Sequence, residues 1–197
     1  MIDLAEEYIL ENDKVLLRPL KESDFDLLLK FSENEPDIWK FNALGADGAE
    51  NLKNYIAAAL NNRKNQTEYP FVVFDKKNQE IIGSTRFYLI NKFNQTLELG
   101  YTWYGKSYQG TYINKNCKYL MLEFAFEIWN MERVGFKANN LNKRSITAMK
   151  SIGCKEEGIL RNFSTDSEGN RMDAMVLSIL KEEWFTTIKE NLKEKIS

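Results

Sequence analysis

The sequence has no histidine, and it has only two cysteines and three prolines among 197 residues. Without histidine, the chain excludes Ser-His-Asp and Cys-His mechanisms, zinc sites with imidazole ligands and general base catalysis by imidazole. Any catalysis therefore relies on carboxylates, tyrosine, serine, lysine, backbone amides or a bound cosubstrate. Cys117 and Cys154 each lie within an apolar pattern, which favours two buried free thiols over a disulfide or a metal pair.

Long hydrophobic runs are also missing. No segment approaches the roughly 18 consecutive apolar residues of a membrane span. Residues 1–7 are acidic and resemble neither a secretory signal nor a transit peptide. The formal net charge of −2 and the pI of about 5.5 argue against the large basic face of a nucleic-acid binder. We therefore expect a cytoplasmic protein without a membrane, nucleic-acid or metal partner.

The remaining composition is that of a globular protein. Hydrophobic residues make up 43% and charged residues 28% of the chain, which is enough apolar material for one core. Glycine and proline are sparse, so no linker or internal repeat divides the sequence. We predict a single domain over residues 1–197, with a core at about 14–180 and a C-terminal helix at 182–193.

Hydrophobic periodicity predicts alternating strands and helices. The predicted strands are 8–11, 14–20, 71–74, 81–90, 97–104, 134–138, 155–163 and 173–180. The predicted helices are 22–32, 49–62, 114–129, 142–152 and 182–193. This order predicts an α/β fold with a mixed sheet and helices on both faces. In the strand at 97–104, one face is expected to carry Leu97, Leu99, Tyr101 and Trp103, and the other Glu98, Gly100 and Thr102.

Residues 105–114 link a predicted strand directly to the longest predicted helix. A turn that contains glycine at a helix N-terminus presents unpaired backbone N–H groups, and the helix dipole adds positive potential. A pyrophosphate fits such a position. Many turns between a strand and a helix contain glycine for steric reasons alone, so the segment is a candidate anion site and no more.

Four segments together resemble the GNAT superfamily of N-acetyltransferases, and most of all its RimJ/RimL-type branch, which acetylates protein N-termini and small amines. They are Leu-Glu-Leu-Gly-Tyr-Thr-Trp at 97–103, Tyr-Gln-Gly-Thr at 108–111, Asn-Lys-Arg-Ser at 142–145 and Ile-Gly at 152–153. The resemblance covers about residues 14–180. It implies a mostly antiparallel sheet with one splayed parallel strand pair, 97–104 with 134–138, and acetyl-CoA as the cosubstrate.

The resemblance also implies which residues hold acetyl-CoA. Pantetheine would bond to backbone near Thr102, Trp103 and Tyr104, Asn142 would hold it, and Ser145 would lie near the thiol. The pyrophosphate loop would comprise Gln109, Gly110, Thr111, Tyr112 and Ile113. The family's loop pattern is Gln/Arg-x-x-Gly-x-Gly/Ala; here only Gly110 matches, and Ser107 and Tyr112 occupy the first and last positions.

The chemistry of acyl transfer narrows the catalytic candidates. A thioester is already activated, so the enzyme aligns donor and amine, polarises the carbonyl and manages two protons. Without histidine, a carboxylate is the natural base, and Glu98 is our candidate; the alternative is an exposed or salt-bridged strand glutamate. Ser145 is our candidate acid for the thiolate, or else a hydroxyl that bonds helix backbone. The alternative acids are Tyr101, Tyr104, Tyr108 and Tyr112.

The connection between the first two helices borders the acceptor cleft in the resembling family. Carboxylates attract cations and aromatic faces hold ammonium groups, so we expect a cationic amine acceptor. The residues concerned are Glu33, Glu35, Asp37, Trp39 and Phe41. The alternative is a solvated loop whose Trp39 packs inward. Arg86 either faces the acceptor or lies on the surface.

The sequence thus predicts an enzyme that moves an acetyl group from acetyl-CoA to a primary amine, a peptide N-terminus or a small basic amine, by direct attack in a ternary complex. Two other classes stay open. One is a non-catalytic CoA-binding or regulatory module of the same fold, and the other is a protein-interaction domain without a ligand. The resemblance also leaves a homodimer open.

Overall fold

The computed structural model describes residues 2–41, 45–165 and 169–196. Within them, eight strands form one sheet in the order β1-β2-β3-β4-β5-β6-β8-β7. The strands are β1 Leu10–Glu11, β2 Val15–Pro19, β3 Tyr69–Asp75, β4 Glu80–Asn91, β5 Thr96–Tyr104, β6 Arg133–Asn139, β7 Lys155–Thr165 and β8 Arg171–Leu180. The helices are α1 Phe25–Asn34, α2 Gly48–Lys64, α3 Tyr112–Glu123, α4 Lys143–Ser151, α5 Lys181–Glu183 and α6 Lys189–Glu194. Between the predicted strands at 155–163 and 173–180, for which we expect a hairpin turn at 167–170, residues 166–168 lie outside the described residues.

The sheet is mixed, as the order of elements predicts. The pairs from β1 to β5 are antiparallel, β5 and β6 are parallel, and β6, β8 and β7 are again antiparallel. One core cluster lies between the sheet and the helices α3, α4 and α6, and a second lies between the opposite face and α1 with α2. The predicted helices on both faces are confirmed. Within the described ranges, no helix combines the length and apolar character needed to cross a bilayer.

The expected alternation along β5 is wrong beyond Gly100. Leu97 and Leu99 pack in the cluster under α3, but Trp103 packs in the opposite cluster, under α1 and α2. The cause is a β-bulge: β4 uses one residue between its pairs Ser84↔Trp103 and Arg86↔Gly100, and β5 uses two. An extra residue in a strand reverses the face of every side chain after it.

The long helix also departs from simple periodicity near its end. After Glu123, the backbone continues as a π-helical turn over Phe124–Ile128. This turn inserts extra backbone, which rotates the following side chains around the axis. Helical spacing of the apolar residues from Ile113 onward predicts that Ile128 faces the core, but it is 66% exposed, whereas Phe126 and Trp129 are buried. Cys117 and Cys154 are buried free thiols, as predicted.

Candidate active site

The two parallel strands β5 and β6 separate partway along their length. They pair only at Thr96↔Arg133, Leu97↔Val134 and Glu98↔Gly135. Beyond this point β5 continues to Tyr104 beside β4, and β6 continues to Asn139 beside β8. Beyond the last of these pairs, the facing edges of the two strands do not bond to each other, and a gap lies between them. The predicted splayed parallel pair is therefore present.

The bulge in β5 lies at the start of this gap. Tyr101 has a φ of 49°, the left-handed region, which bulged strand residues adopt at some energetic cost. Its ring turns to the α2 side of the sheet, where its centroid lies 4.4 Å from the Arg86 guanidinium and 5.1 Å from the Tyr88 ring. The bulge thus bends β5 and sets which backbone groups face the gap.

Glu98 lies at the last paired position before the strands separate. Its Oε1 atom is 3.1 Å from the Lys137 ammonium, and its side chain is 15% exposed. Its Oε2 atom is buried and has no hydrogen-bond partner among the described residues. Gly135 makes room for this carboxylate, because a Cβ there would lie 2.5 Å from Oε1. Glu98 is therefore ion-paired, as one of the two interpretations of the sequence predicts. Its second carboxylate oxygen has no partner among the described residues.

The loop from β5 to α3 has the geometry of an anion site. Gly110 has a φ of 75°, and a Cβ built there meets nothing within 4 Å, so the backbone faces open space. Thr111 caps α3: its Oγ1 accepts from the Ile113 N–H at 3.4 Å and donates to the Tyr108 carbonyl at 2.7 Å. The Ile113 side chain is buried in the core, so only its backbone can serve a ligand.

Gln109 and Tyr112 use their side chains within the protein. The Gln109 Nε2 donates to the Tyr104 carbonyl at 2.9 Å, and Arg144 donates to the Gln109 Oε1. The Tyr112 hydroxyl donates to the Asp75 Oδ1 at 2.7 Å, so the ring turns toward the β3–β4 turn. Tyr112, which occupies the position of glycine or alanine in the family pattern, therefore has its side chain anchored to another element.

The tyrosines considered as acids all have pKa values above the ordinary one. Burial raises the pKa of Tyr101, Tyr104 and Tyr108, and burial together with the Asp75 carboxylate raises the pKa of Tyr112 to about 12. A general acid works best with a pKa near the operating pH. None of these four hydroxyls is tuned for proton donation at neutral pH.

Asn142 and Ser145 meet at the start of α4. The Asn142 Oδ1 accepts the Ser145 backbone N–H at 3.1 Å, which is a standard N-cap. The Ser145 side chain is half-buried. The cap fixes the orientation of this turn, so the structure brings together the two residues that the resemblance assigns to pantetheine and thiol.

Arg86 is enclosed, so a surface position is wrong. Its side chain is 0% exposed, and its guanidinium lies between the rings of Tyr55 and Tyr101, 4.6 and 4.4 Å from their centroids. Its Nη1 donates to the Glu68 Oε2 at 2.7 Å. The period-two pattern of β4 did not predict this burial because α2, which covers that face, is distant in sequence.

The α1–α2 connection is bound to the loop that follows β5. The Glu35 Oε2 accepts the Lys106 backbone N–H at 2.7 Å, and the Asp37 Oδ2 accepts the Lys106 ammonium at 2.8 Å. Trp39 is 3% exposed, with its ring centroid 4.6 Å from that of Trp103. An open Trp39 face for a cation is therefore wrong. Glu33 and Phe41 are exposed.

Sequence reasoning did not identify several polar residues that surround the bulge. Lys118, on α3, is 5% exposed, and its ammonium donates to the Thr102 Oγ1 at 2.7 Å. Its position between Cys117 and Tyr119, in a helix with apolar side chains on several sides, was the available signal. Nothing in the local pattern of β6 distinguished Lys137 as the partner of Glu98.

The comparisons with known proteins agree with this geometry. A family model described as "Acetyltransferase (GNAT) domain" matches residues 14–155. "Uncharacterized N-acetyltransferase p20" of Bacillus licheniformis is 23% identical over 89% of this chain and 97% of its own length. "Probable N-acetyltransferase YjcK" of Bacillus subtilis is 26% identical over 87% of this chain and 97% of its own length.

Solved structures share the fold over nearly the whole chain. A putative acetyltransferase from T. thermophilus has a TM-score of 0.86 and 29% identity, covering 96% of this chain and 97% of its own. A ribosomal-protein-S5-alanine acetyltransferase from Vibrio fischeri has a TM-score of 0.72 and 21% identity, covering 90% and 98%. The microcin C7 self-immunity acetyltransferase MccE, solved with acetyl-CoA and AMP, has a TM-score of 0.76 and 20% identity, covering 86% and 93%.

The splayed parallel pair and the glycine turn into α3 agree with the family model and the named relatives, which identify this protein as an acetyltransferase. The chain belongs to the GNAT acetyltransferase family, since the family model covers well over half of its length.

Proposed function

We propose that this enzyme transfers an acetyl group from acetyl-CoA to a primary amine, by direct attack in a ternary complex. The observation that carries the proposal is the position of Glu98. Its carboxylate lies where β5 and β6 separate, and its buried Oε2 has no partner among the described residues. A fixed carboxylate with an unpartnered oxygen beside the gap between the two strands suits proton removal from an ammonium.

The donor side supports acetyl-CoA. The edges of β5 and β6 that do not pair with each other can receive an extended pantetheine chain by backbone hydrogen bonds, as a further strand would. We place this contact at the backbone of Thr102, Trp103 and Tyr104, since the side chains of Trp103 and Tyr104 are buried. Gly110 and the capped start of α3 supply the N–H groups for the pyrophosphate. The MccE structure shows acetyl-CoA bound to a protein of this fold.

The proton balance assigns roles to two residues. Glu98 takes a proton from the acceptor ammonium, directly or through water, and the free amine attacks the thioester carbonyl carbon. The new C–N bond forms as the C–S bond breaks, and the thiolate takes a proton, for which we retain Ser145 as the donor. The nitrogen loses its second proton in the same step, and that proton restores the Ser145 hydroxyl, so that the products are the neutral amide and the free thiol of CoA. On β6, the Lys137 ammonium pairs with the Glu98 carboxylate and Gly135 leaves room for it, so that the carboxylate is preorganised for this step.

The acceptor side supports a cationic amine, from a peptide N-terminus or a small basic molecule. Glu68 and Glu98 lie on the same face of the sheet as the rings of Tyr88 and Tyr101, and carboxylates beside aromatic rings suit an ammonium. A protein N-terminus would agree with the resemblance to the RimJ/RimL-type branch, and the Vibrio fischeri neighbour is named for acetylation of an alanine of ribosomal protein S5. We further propose that residues 1–197 form one domain and that the enzyme is cytoplasmic.

The reaction is tested by thiol release from acetyl-CoA with a panel of primary amines. We expect release that depends on the amine, with cationic acceptors preferred over neutral or anionic ones. Calorimetric titration of acetyl-CoA on the same protein is the control for donor binding. Tight binding of acetyl-CoA without thiol release for any amine would instead support the non-catalytic CoA-binding module.

Replacing Gly110 with valine should weaken acetyl-CoA binding by roughly tenfold, about 1.4 kcal/mol. The φ of 75° is strained for a branched residue, and the new side chain would occupy the open space above the loop. Calorimetric titration measures the change. Gly169→Val, a left-handed glycine with equally open surroundings beyond the site, is the matched control for strain. Unchanged affinity in Gly110→Val would show that this loop does not bind the pyrophosphate.

A mutational test of the carboxylates in the α1–α2 connection should be limited to those that do not also contact the donor loop. Glu35 and Asp37 bind Lys106 at the start of the donor loop, so their replacement would disturb both substrates. Glu33 is exposed and is therefore the carboxylate whose replacement by glutamine reports on acceptor attraction alone.

A further inference from the structure

The bulge of β5 is held from the α3 side by a buried network of hydroxyl groups. The Thr85 and Thr102 Oγ1 atoms lie 2.7 Å apart, and each is within 3.5 Å of the Gly100 carbonyl. The Lys118 ammonium donates to the Thr102 Oγ1 at 2.7 Å and to the Thr85 Oγ1 at 3.4 Å. Lys118 therefore links α3 to both strands at the residues that form the bulge.

No carboxylate of the described residues pairs with the Lys118 ammonium. The charged and titratable groups that interact with it are the thiols of Cys117 and Cys154, and burial raises the pKa of both to about 12. Its hydrogen-bond acceptors are neutral hydroxyls. A buried ammonium without a counter-ion is costly, and an apolar side chain of similar volume would be at least as stable. Stability alone therefore does not account for a lysine at this position.

The opposite face of the bulge is held by a second buried cation. Arg86 lies between the rings of Tyr55 and Tyr101, and the Tyr55 hydroxyl lies 3.5 Å from the Tyr101 carbonyl. The left-handed conformation of Tyr101 is thus held by contacts on both sides of the sheet. Of these contacts, the hydrogen bond from Lys118 is the one that reaches Thr102, at a position where β5 no longer pairs with β6.

We propose that Lys118 is a positioning residue for the acetyl donor: through the hydroxyls of Thr102 and Thr85 it fixes the bulge whose backbone receives pantetheine. The proposal rests on the proposed use of acetyl-CoA. Lys118 acts through Thr102 and has no assigned contact with the substrate. Its removal loosens the backbone of Thr102 and the following residues, which weakens donor binding without unfolding the protein.

The protonation of Lys118 supplies a distinctive signature. Burial lowers the pKa of Lys118 to about 7, whereas the neighbouring thiols and Tyr104 stay neutral there because their pKa values are raised. A hydrogen bond from an ammonium is stronger than one from a neutral amine. The affinity for acetyl-CoA should therefore fall as the pH rises through about 7, in a binding experiment that contains no acceptor.

The test is calorimetric titration of the full chain with acetyl-CoA at about one pH unit below and above 7. For Lys118→Met we expect a roughly tenfold higher Kd below pH 7 and loss of the pH dependence. Lys53→Met, on the exposed side of α2, should bind like the parent at both pH values. Thr85→Val, which removes a hydroxyl of the same network on β4, should also raise the Kd below pH 7, and Thr85→Ser, which keeps that hydroxyl, should stay close to the parent.

Each outcome decides the proposal. Lys118→Met with the affinity and pH dependence of the parent overturns it and leaves the proposed acetyl transfer intact. If the parent itself binds no acetyl-CoA, both proposals fail. Should Lys118→Met not fold, the pair Thr85→Val and Thr85→Ser decides alone: equal affinities in these two variants overturn the positioning role.

Discussion

Replacing Glu98 with glutamine should lower kcat by about 10²-fold to 10³-fold at neutral pH, while the affinity for acetyl-CoA stays unchanged. Glutamine keeps the shape of the side chain but cannot accept a proton from the acceptor ammonium. Activity should recover partly as the pH rises, because the fraction of free amine in solution increases. Steady-state kinetics with the best amine of the panel, measured across pH, give the result.

The control for this prediction displaces the carboxylate without removing it. In Gly135→Ala, the new Cβ would lie 2.5 Å from the Glu98 Oε1, so the end of the Glu98 side chain must shift. We expect a smaller loss of kcat, roughly tenfold, with little change in stability because a flexible side chain gives way. A Glu98→Gln variant with the kcat and pH profile of the parent would remove Glu98 from the mechanism.

Replacing Lys118 with methionine should make the protein more stable at neutral and low pH. The pKa of Lys118 is about 7 in the folded chain against an ordinary value of 10.5. Between these two pH values the unfolded chain binds more protons than the folded chain, so the free energy of unfolding of the parent rises with pH. The full cost of the buried Lys118 ammonium applies below pH 7. A pKa shift of this size corresponds to several kcal/mol in the free energy of unfolding, on the order of 1.4 kcal/mol for each pH unit of the shift.

Urea unfolding from about one pH unit below 7 to the ordinary pKa of lysine measures this difference. The free energy of unfolding of Lys118→Met should exceed that of the parent most at the acidic end, and the gap should narrow as the pH rises. Lys53→Met, an exposed lysine on α2, should show no such gap. A difference that stays constant across this range would mean that Lys118 does not titrate near neutrality. Greater stability with weaker donor binding would separate a positioning role from a structural one.

Several features of the site were predictable because they depend on local sequence. The position of Gly110 before a regular helix predicted the glycine turn, and φ of 75° confirms that this position needs glycine. The alternation of Leu97 and Leu99 predicted the first half of β5, and both side chains are buried as expected. The resemblance predicted the parallel pair with β6 and its separation.

Other features were not predictable from the same patterns. One extra residue near Tyr101 reversed the faces of Thr102 and Trp103, since a bulge leaves no mark in composition. Arg86 read as a surface or acceptor-facing residue because α2, which encloses it, comes from a distant part of the chain. The same holds for Glu35, whose carboxylate binds the backbone of Lys106.

The sequence by itself determined the class of chemistry, the order of the strands and helices, and the turn that starts α3. The absence of histidine is a property of the composition, and it limits the chemistry. The periodicity of apolar residues and the placement of glycine are properties of neighbouring residues, and local geometry follows from them. Only the tertiary structure decided that Lys137 pairs with Glu98, that Lys118 is buried beneath Thr102 and that Trp39 turns inward. These contacts join elements far apart in the chain, so their energies depend on packing that no local pattern encodes.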